Sequence, residues 1–298
     1  MNAKPILTVF TPAYNRAHTI GRTYESLCRQ TCKDFEWLII DDGSKDNTHD
    51  LVDQWKLQDN GFCIRYVYKE NGGLHTGYNK AIELIETELC VCIDSDDFMP
   101  DNAVEKIIET WKNKSSNDVA GLIGLDYLLE GTPLGSNFPE IEKCHYYDLV
   151  FCYHHTEDVK FVTRTDLLKE VAPQPTFNGE KNFNPTYMYD QLDLQYEWIL
   201  LNENICIVDY QQDGMANGIY KQYLNSPNSF AARRIQNFRI PAPLFFYIKQ
   251  YIHLASSAII SNNYSWLMKA PHPVFSLFVL PLGFILSLYI RYRVYIKK

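Results

Sequence analysis

Several features that would assign this chain to a common class of protein are missing from its sequence. No two of the eight cysteines form a CxxC pair, and most lie within apolar runs, which favours reduced, buried thiols over disulfides or a zinc site. The net charge of −8 argues against a broad basic surface, so we expect no nucleic-acid partner. The first apolar run is too short for a signal peptide and soon meets Pro12, which predicts a cytoplasmic protein.

The common glycine-rich phosphate-binding patterns are missing as well. Neither GxGxxG after the first predicted strand nor GxxxxGK(S/T) occurs in the chain. A nucleotide bound here would need something else to neutralise its phosphate charge. What the chain does have is apolar material: 46% of its residues are hydrophobic and 14% are aromatic, which excludes a disordered chain and suffices for a full core.

The amino-terminal part of the chain alternates between short apolar runs and segments with helical spacing. The apolar runs predict strands at 6–10, 36–40, 62–68 and 88–93. A helical pattern follows each of them, as in Ile20, Tyr24 and Leu27 at positions i, i+4 and i+7. We therefore predict an α/β fold with a mostly parallel central sheet and helices on both faces.

A polar segment follows each of these strands: AYNR, DDGS, ENGG and DSDD. In open α/β sheets ligands bind at the carboxyl ends of the strands, so we expect the four segments to meet there. The carboxylates of Asp94, Asp96 and Asp97 repel one another. DSDD taken alone fits either a solvated acidic turn or a site for Mg²⁺ or Mn²⁺. The four coincident loops favour the cation site.

The second half of the sequence is less regular. Residues 119–125 predict a further strand, and residues 173–190 predict a loop that leads into a helix. Glu180 and Asp190 belong to this segment. Both are candidates for base chemistry because the loop could fold over a pocket.

The carboxyl-terminal segment differs in character from the rest. Residues 274–290 carry no charge and are followed by Arg291, Arg293, Lys297 and Lys298. Pro281 and Gly283 interrupt the run, and a spanning helix needs about 20 apolar residues. We expect an interfacial or re-entrant segment on the inner leaflet of the cytoplasmic membrane, with a buried core helix as the other interpretation. The predicted domains are 1–215, with halves 1–115 and 116–215, and a helical region at 216–298.

Four segments in this order and spacing resemble the family 2 inverting glycosyltransferases with the GT-A fold. They are TVFTPAYNRAHTI, QTCKDFEWLIIDDGSKDNT, ENGGLHTGYNKAIE and CIDSDDFMPDNA. FNGEKNF and VDYQQDG resemble the acceptor-side segments of bacterial members that build capsule, O-antigen or exopolysaccharide. The resemblance implies transfer of a sugar from a nucleotide donor, with UDP as the expected nucleotide, to a lipid-linked oligosaccharide or another saccharide.

The resemblance also implies roles for individual residues. Tyr14 would stack on the base, Asp42 would accept a hydrogen bond from uracil, and Asp96 would ligate Mn²⁺ or Mg²⁺. Asp94 would contact the ribose or the cation, and Asp97 would share in binding the cation. The expected nucleotide-binding residues are Pro12, Tyr14, Asp41, Asp42, Gly73, His75 and Asp94, with Gly72 nearby.

The same resemblance requires a catalytic base, and here the sequence departs from the family. Thr186 stands where a glutamate is expected, which leaves Asp190 as the first candidate and Glu180 as the second. An inverting transfer needs such a carboxylate to take the proton of the acceptor hydroxyl. Two alternatives remain: a nucleotidyltransferase, disfavoured because TPAYNR has no glycine, and a non-catalytic protein that binds nucleotide-sugars.

Overall fold

The computed structural model describes residues 4–209 and 218–296. The chain divides into two compact units. The first unit comprises Met1–Gly72, Thr76–Pro173 and Gln191–Tyr210, and the second comprises Gly73–His75, Gln174–Asp190 and Gln211–Lys298. The predicted domain boundary at residue 215 lies outside the described residues, so that division stays a prediction.

An eight-stranded sheet forms the centre of the first unit, in the order β3-β2-β1-β4-β7-β5-β8-β6. Only β7 and β6 run antiparallel to their neighbours among the paired strands, so the predicted mostly parallel sheet is confirmed. The strands are β1 (Leu7–Ala13), β2 (Phe35–Asp41), β3 (Cys63–Tyr68), β4 (Leu89–Cys92), β5 (Val119–Leu128), β6 (Lys143–Cys144), β7 (Val159–Arg164) and β8 (Glu197–Val208).

Helices connect these strands at the places that the apolar spacing predicts. Ile20, Tyr24 and Leu27 are buried on the first helix, and Val104 and Trp111 are buried on the fourth. The helices up to residue 193 are α1 (Ile20–Cys28), α2 (Thr48–Lys56), α3 (Leu74–Leu84), α4 (Ala103–Lys114), α5 (Tyr146–Phe151), α6 (Thr165–Val171) and α7 (Thr186–Asp193).

Pro12 lies inside β1, which continues to Ala13, whereas the predicted strand ends at residue 10. The reason is the direction in which its nitrogen points. Phe10 accepts a hydrogen bond from Ile93 on the β4 side, and residues two apart in a strand face the same neighbour. The β1–β4 pairing ends at Phe10 and Cys92, so the missing N–H of Pro12 costs no ladder bond.

The insertion of β7 between β4 and β5 is the main feature that the sequence did not predict. This part of the sequence belongs to its less regular second half, yet Val91 pairs with Val162 and Gly124 pairs with Lys160. The strand therefore connects the amino-terminal half of the sheet to β5 and β8. It also brings Lys160 to the carboxyl end of β4, where the acidic loop begins.

Helices make up most of the second unit after residue 217. A separate core lies among them, including Leu254, Ala258, Trp266 and Leu267. The helices are α8 (Ile219–Asn225), α9 (Pro227–Asn237), α10 (Leu244–Ile260), α11 (Ser265–Met268), α12 (Pro273–Phe278) and α13 (Leu280–Ile296). No helix within residues 4–209 and 218–296 is long and apolar enough to cross a bilayer.

Pro281 and Gly283 do not interrupt α13, contrary to the sequence prediction. Pro281 is the second residue of the helix. A backbone N–H at this position would have no hydrogen-bond acceptor within the helix, so proline, which lacks the N–H, is tolerated. Gly283 packs against α10: a Cβ placed on it would lie 2.5 Å from Cβ of Ala255. The helical structure is interrupted instead at Val279, between α12 and α13.

Candidate active site

The carboxyl ends of β2, β1 and β4 lie side by side, because these neighbouring strands are parallel. Tyr14 follows β1, Asp41 and Asp42 lie at the end of β2, and Asp94 follows β4. β3 is parallel to β2 as well, so the first unit gathers the AYNR, DDGS and DSDD loops and the first part of ENGG, up to Gly72, at one edge of the sheet. Tyr14 is 46% exposed, as a ring that stacks on a ligand has to be.

The DDGS turn is fixed by its own carboxylates. Asp41 accepts hydrogen bonds from the hydroxyl of Tyr66 at 2.5 Å and from the backbone N–H of Ser44 at 2.7 Å. Asp42 forms an ion pair with Lys69 and accepts a hydrogen bond from the backbone N–H of Gly72 at 2.9 Å. Both acids are buried and hold the β2 and β3 loops together. A contact of Asp42 with a base stays a prediction.

Asp97 points inward rather than toward the mouth of the acidic loop. Its Oδ2 accepts a hydrogen bond from Nζ of Lys160 at 3.0 Å, and its Oδ1 accepts one from the backbone N–H of Asp209 at 3.3 Å. Thr23 donates to the Asp97 carbonyl at 2.7 Å, which fixes the backbone. Because both of its carboxylate oxygens are engaged, Asp97 is better suited to shaping the loop than to binding a cation.

Asp94 and Asp96 carry negative charge that the protein compensates only in part. Desolvation and the charges of Asp97 and Asp96 raise the pKa of Asp94, and Lys160 opposes this shift. Burial and the neighbouring charge of Asp97 also raise the pKa of Asp96. A raised carboxyl pKa means that the ionised form is destabilised, and a bound cation would relieve this.

The donor set fits a metal shared with a substrate rather than a metal held by protein alone. The described part of the chain contains no group of three or more His, Cys, Asp or Glu side chains arranged to hold an ion. Mg²⁺ is often bound by one or two carboxylates together with substrate phosphates. Asp94 and Asp96 provide these two carboxylates, so the residues present fit a cation that arrives with a diphosphate.

Two residues at this edge escaped the sequence analysis. Lys160 on β7 lies 3.8 Å from Asp94 and 3.9 Å from Asp126 on β5, measured from Nζ to Oδ2. Asp126 is 1% exposed, and burial raises its pKa to about 7. The sequence does show a charged residue within each of these two apolar strands. Only the pairing of β7 with β4 and β5 shows that Lys160 lies close to Asp126 and Asp94.

In the second unit, Glu180 has a structural role that the sequence did not indicate. Its Oε1 accepts hydrogen bonds from the N–H and Nδ2 of Asn228, and its Oε2 accepts them from the N–H and Oγ of Ser229, all at 2.7–2.9 Å. These residues begin α9, where a carboxylate satisfies free N–H groups and interacts favourably with the helix dipole. The four bonds favour a helix cap over a catalytic base.

Asp190 is also buried in the second unit, and its partner is Arg233 on α9. Arg233 also donates from Nη2 to Oγ1 of Thr186 at 2.9 Å. Thr186 and Asp190 are one turn apart on α7, so a single guanidinium binds both. Burial raises the pKa of Asp190 and Arg233 opposes that shift. The base assignment stays a prediction, with Asp190 ahead of Glu180.

Gly73 and His75 contact the FNGEKNF segment of the same unit. Gly73 has φ +97, and a Cβ on it would lie 2.0 Å from the carbonyl oxygen of Lys181, so only glycine fits. His75 is buried, with its ring 6.3 Å from that of Phe183. Their predicted contact with a nucleotide is untested. Residues 210–214 of VDYQQDG, like Lys297 and Lys298, lie outside the described residues.

Comparison with known proteins agrees with this architecture. Residues 8–132 match the family described as glycosyl transferase family 2. A hyaluronan synthase of Pasteurella multocida is 36% identical over 111 residues, which is 37% of this chain and 11% of that protein. Other curated relatives are matched over 38% and 58% of their own lengths. The chain thus spans less than two thirds of each of these relatives.

Solved structures match over more of the chain. TarS residues 1–349 from S. aureus, in complex with UDP-GlcNAc, has a TM-score of 0.62 at 15% identity, covering 88% of this chain and 79% of that one. The mannosyltransferase PcManGT from Pyrobaculum calidifontis, in complex with GDP-Man and Mn²⁺, has a TM-score of 0.58 at 18% identity, covering 99% and 84%. These likenesses show the fold, and the predicted GT-A fold is confirmed.

The contacts of Glu180 generate a stability prediction. Glu180→Gln keeps the size of the side chain but turns an N–H toward the donors of α9, so we expect a loss of about 2 kcal/mol in the free energy of unfolding. Urea unfolding followed by circular dichroism measures it, with Glu109→Gln, an exposed glutamate on α4, as the control. Unchanged stability in Glu180→Gln would contradict the capping role.

Proposed function

We propose, for a chain whose residues 8–132 match glycosyl transferase family 2, that the protein transfers a sugar from a nucleotide donor to a saccharide acceptor. The donor we propose is a UDP-sugar, and the acceptor is a lipid-linked saccharide of surface polysaccharide biosynthesis. The observation that supports this best is the pair Asp94 and Asp96, which are partly exposed in the loop after β4, at the carboxyl edge of the sheet.

The donor site that we propose lies in the first unit. Tyr14 would stack on the base, since it is an exposed ring directly after β1. Asp41 and Asp42 would present the DDGS turn, which they already hold rigid through Tyr66 and Lys69. TarS and PcManGT are solved with UDP-GlcNAc and with GDP-Man, so two proteins of similar fold bind nucleotide-sugars.

Asp94 and Asp96 would hold a divalent cation together with the donor diphosphate. When bound, such an ion stabilises the negative charge that develops on the leaving diphosphate. The chain prepares the site by fixing the loop backbone: Arg22 donates to the Asp96 carbonyl at 3.3 Å, and Thr23 donates to that of Asp97. Mn²⁺ in the PcManGT complex makes the same ion the first choice here.

Asp190 is the base that we propose for an inverting transfer. It would accept the proton of the acceptor hydroxyl as that oxygen attacks the sugar. Arg233 would orient its carboxylate, and its charge opposes the rise in pKa that burial causes. Oγ1 of Thr186 accepts a hydrogen bond from the same guanidinium, so two residues one turn apart on α7 hold Arg233 in place.

The carboxyl-terminal helices support attachment to a membrane surface. On α13 the buried positions include Gly283, Ser287 and Ile290, whereas large apolar side chains are exposed. Those exposed on α12 and α13 are Val274, Phe275, Leu277, Phe278, Leu282, Phe284, Ile285, Leu288, Tyr289, Tyr292, Tyr295 and Ile296. Small residues inside and large apolar residues outside are typical of helices that face lipid. We propose monotopic attachment, with Arg291 and Arg293 near anionic headgroups.

One observation favours a second function, a non-catalytic protein that binds nucleotide-sugars. Asp190 is 5% exposed and paired with Arg233, and Thr186 replaces the expected glutamate. A carboxylate so enclosed must open to reach an acceptor. Mn²⁺-dependent binding of UDP-sugars without release of UDP in the presence of any acceptor would support this function over transfer.

The donor site is tested by Asp96→Asn. Removal of this charge should weaken UDP binding in Mn²⁺ at least about tenfold, because the cation loses one of its two protein carboxylates. Isothermal titration calorimetry measures it. Asp101→Asn, an exposed aspartate of the same segment that pairs with Arg29, should bind as the wild type does. Equal affinity in Asp96→Asn and wild type would contradict the metal assignment.

The base is tested by Asp190→Asn. We expect UDP binding to stay within about twofold, and UDP release from a UDP-sugar with a lipid-linked acceptor to fall about 100-fold or more. Release is followed by a coupled UDP assay, with the exposed Asp50→Asn on α2 as the control. Wild-type turnover in Asp190→Asn would exclude this residue as the base.

Membrane attachment is tested by Phe284→Asp with Leu288→Asp. Both side chains are exposed on α13, so the charges should spare folding but lower the amount that floats with phosphatidylglycerol vesicles about tenfold or more. Leu57→Asp, 88% exposed at the end of α2, provides the control for an added charge. Equal flotation of the double variant and wild type would contradict attachment through α13.

A further inference from the structure

Lys160 lies beneath the acidic loop, where three strands bring charges together. β7 pairs with β4 on one side and with β5 on the other. From Nζ of Lys160, Asp97 is 3.0 Å away, Asp94 is 3.8 Å away and Asp126 is 3.9 Å away. The side chain is 13% exposed, so little water screens these interactions.

The carboxylates around Lys160 differ in which other groups stabilise their negative charge. Asp97 has the N–H of Asp209 as a second partner. Oδ1 of Asp126 has no hydrogen-bond partner within the described ranges, and Lys160 is the cation paired with this acid there. Lys160 carries the usual positive charge of a lysine, since its Nζ lies within 3.9 Å of three aspartate carboxylates.

Two arginines also lie near the loop: Arg16, whose charge acts on Asp96, and Arg22. Arg22 forms an ion pair with Asp209 at 2.7 Å, and it reaches Asp96 only through the backbone carbonyl. The charge on the inner side of the loop is therefore balanced by Lys160. Among the described residues no ion pair joins Lys160 to the Asp96 carboxylate, whereas Asp94 lies 3.8 Å from Lys160 and its side chain is still 46% exposed.

We propose that Lys160 is an internal counter-ion of the DSDD loop, which neutralises Asp97 and Asp126 and restricts the cation site to Asp94 and Asp96. This inference rests on the proposed function. A fixed positive charge this close repels a divalent ion and weakens its binding to the protein alone. Diphosphate oxygens add ligands and negative charge, so the ion binds tightly only together with the nucleotide. Lys160 is a positioning residue, since it acts through Asp94 and Asp97.

The test measures Mn²⁺ affinity with and without UDP, using the electron paramagnetic resonance signal of free Mn²⁺. Wild-type protein should bind Mn²⁺ at least about tenfold more tightly with UDP. Lys160→Met should bind Mn²⁺ without UDP about tenfold more tightly than wild type, because the repelling charge is gone. Lys160→Arg keeps the charge and should resemble wild type. Lys143→Met removes a lysine paired with Asp118 and Glu197, and should also resemble wild type.

A second pair of variants tests the same inference if Lys160→Met does not fold. Lys160→Met leaves Asp97 and Asp126 buried without a cation, which can destabilise the protein. Asp126→Asn removes one of these charges, so Asp126→Asn is compared with Asp126→Asn/Lys160→Met, after thermal melts show that both are folded. The double variant should bind Mn²⁺ alone more tightly than the single one.

The outcomes separate the inference from the proposed function. Equal Mn²⁺ affinity with and without Lys160, while UDP still strengthens Mn²⁺ binding, would overturn the inference and leave the proposed function standing. Weaker Mn²⁺ binding in folded Lys160→Met would also overturn it, since Lys160 would then assist rather than oppose the ion. No strengthening by UDP in the wild type would contradict the proposed function and the inference with it.

Discussion

The compensation of negative charge at one edge of the sheet is the constraint on which the rest of the first unit depends. Parallel strands bring their carboxyl ends together, and here those ends carry Asp41, Asp42, Asp94 and Asp97. Each of the inner carboxylates has an internal partner, such as Lys69 for Asp42 and Lys160 for Asp97. A buried carboxylate without such a partner would be strongly unfavourable. The protein thus buries the acids that shape the loops, whereas Asp94 and Asp96 stay partly exposed.

The second unit applies the same principle to its helices. Glu180 supplies the acceptors that the first turn of α9 lacks, and Arg233 of that helix pairs with Asp190 on α7. Two carboxylates that look equivalent in the sequence therefore have different surroundings. Glu180 accepts four hydrogen bonds and is a structural group, whereas Asp190 is held by one guanidinium. This difference is the physical reason for preferring Asp190 as the base.

Local patterns in the sequence predicted what local physics decides. The buried faces of α1 and α4, the first four strands and the loops after them follow from apolar spacing and turn residues. Long-range pairing decided the rest. The place of β7, and hence of Lys160, depends on pairing with residues 34 to 75 positions earlier in the chain, which periodicity does not encode. The sequence does not show that the N–H missing from Pro12 and from Pro281 would have had no partner in the fold, which is why the strand and the helix continue through them.

The central claim is that the edge formed by β2, β1 and β4 binds a nucleotide diphosphate through a cation on Asp94 and Asp96. A crystal structure of the protein with UDP and Mn²⁺, with data collected at the manganese absorption edge, tests it most directly. We predict one anomalous peak within about 2.5 Å of an Asp96 oxygen and of the diphosphate, with the uracil over Tyr14. Clear density for UDP elsewhere, or at this edge without manganese, would contradict the claim.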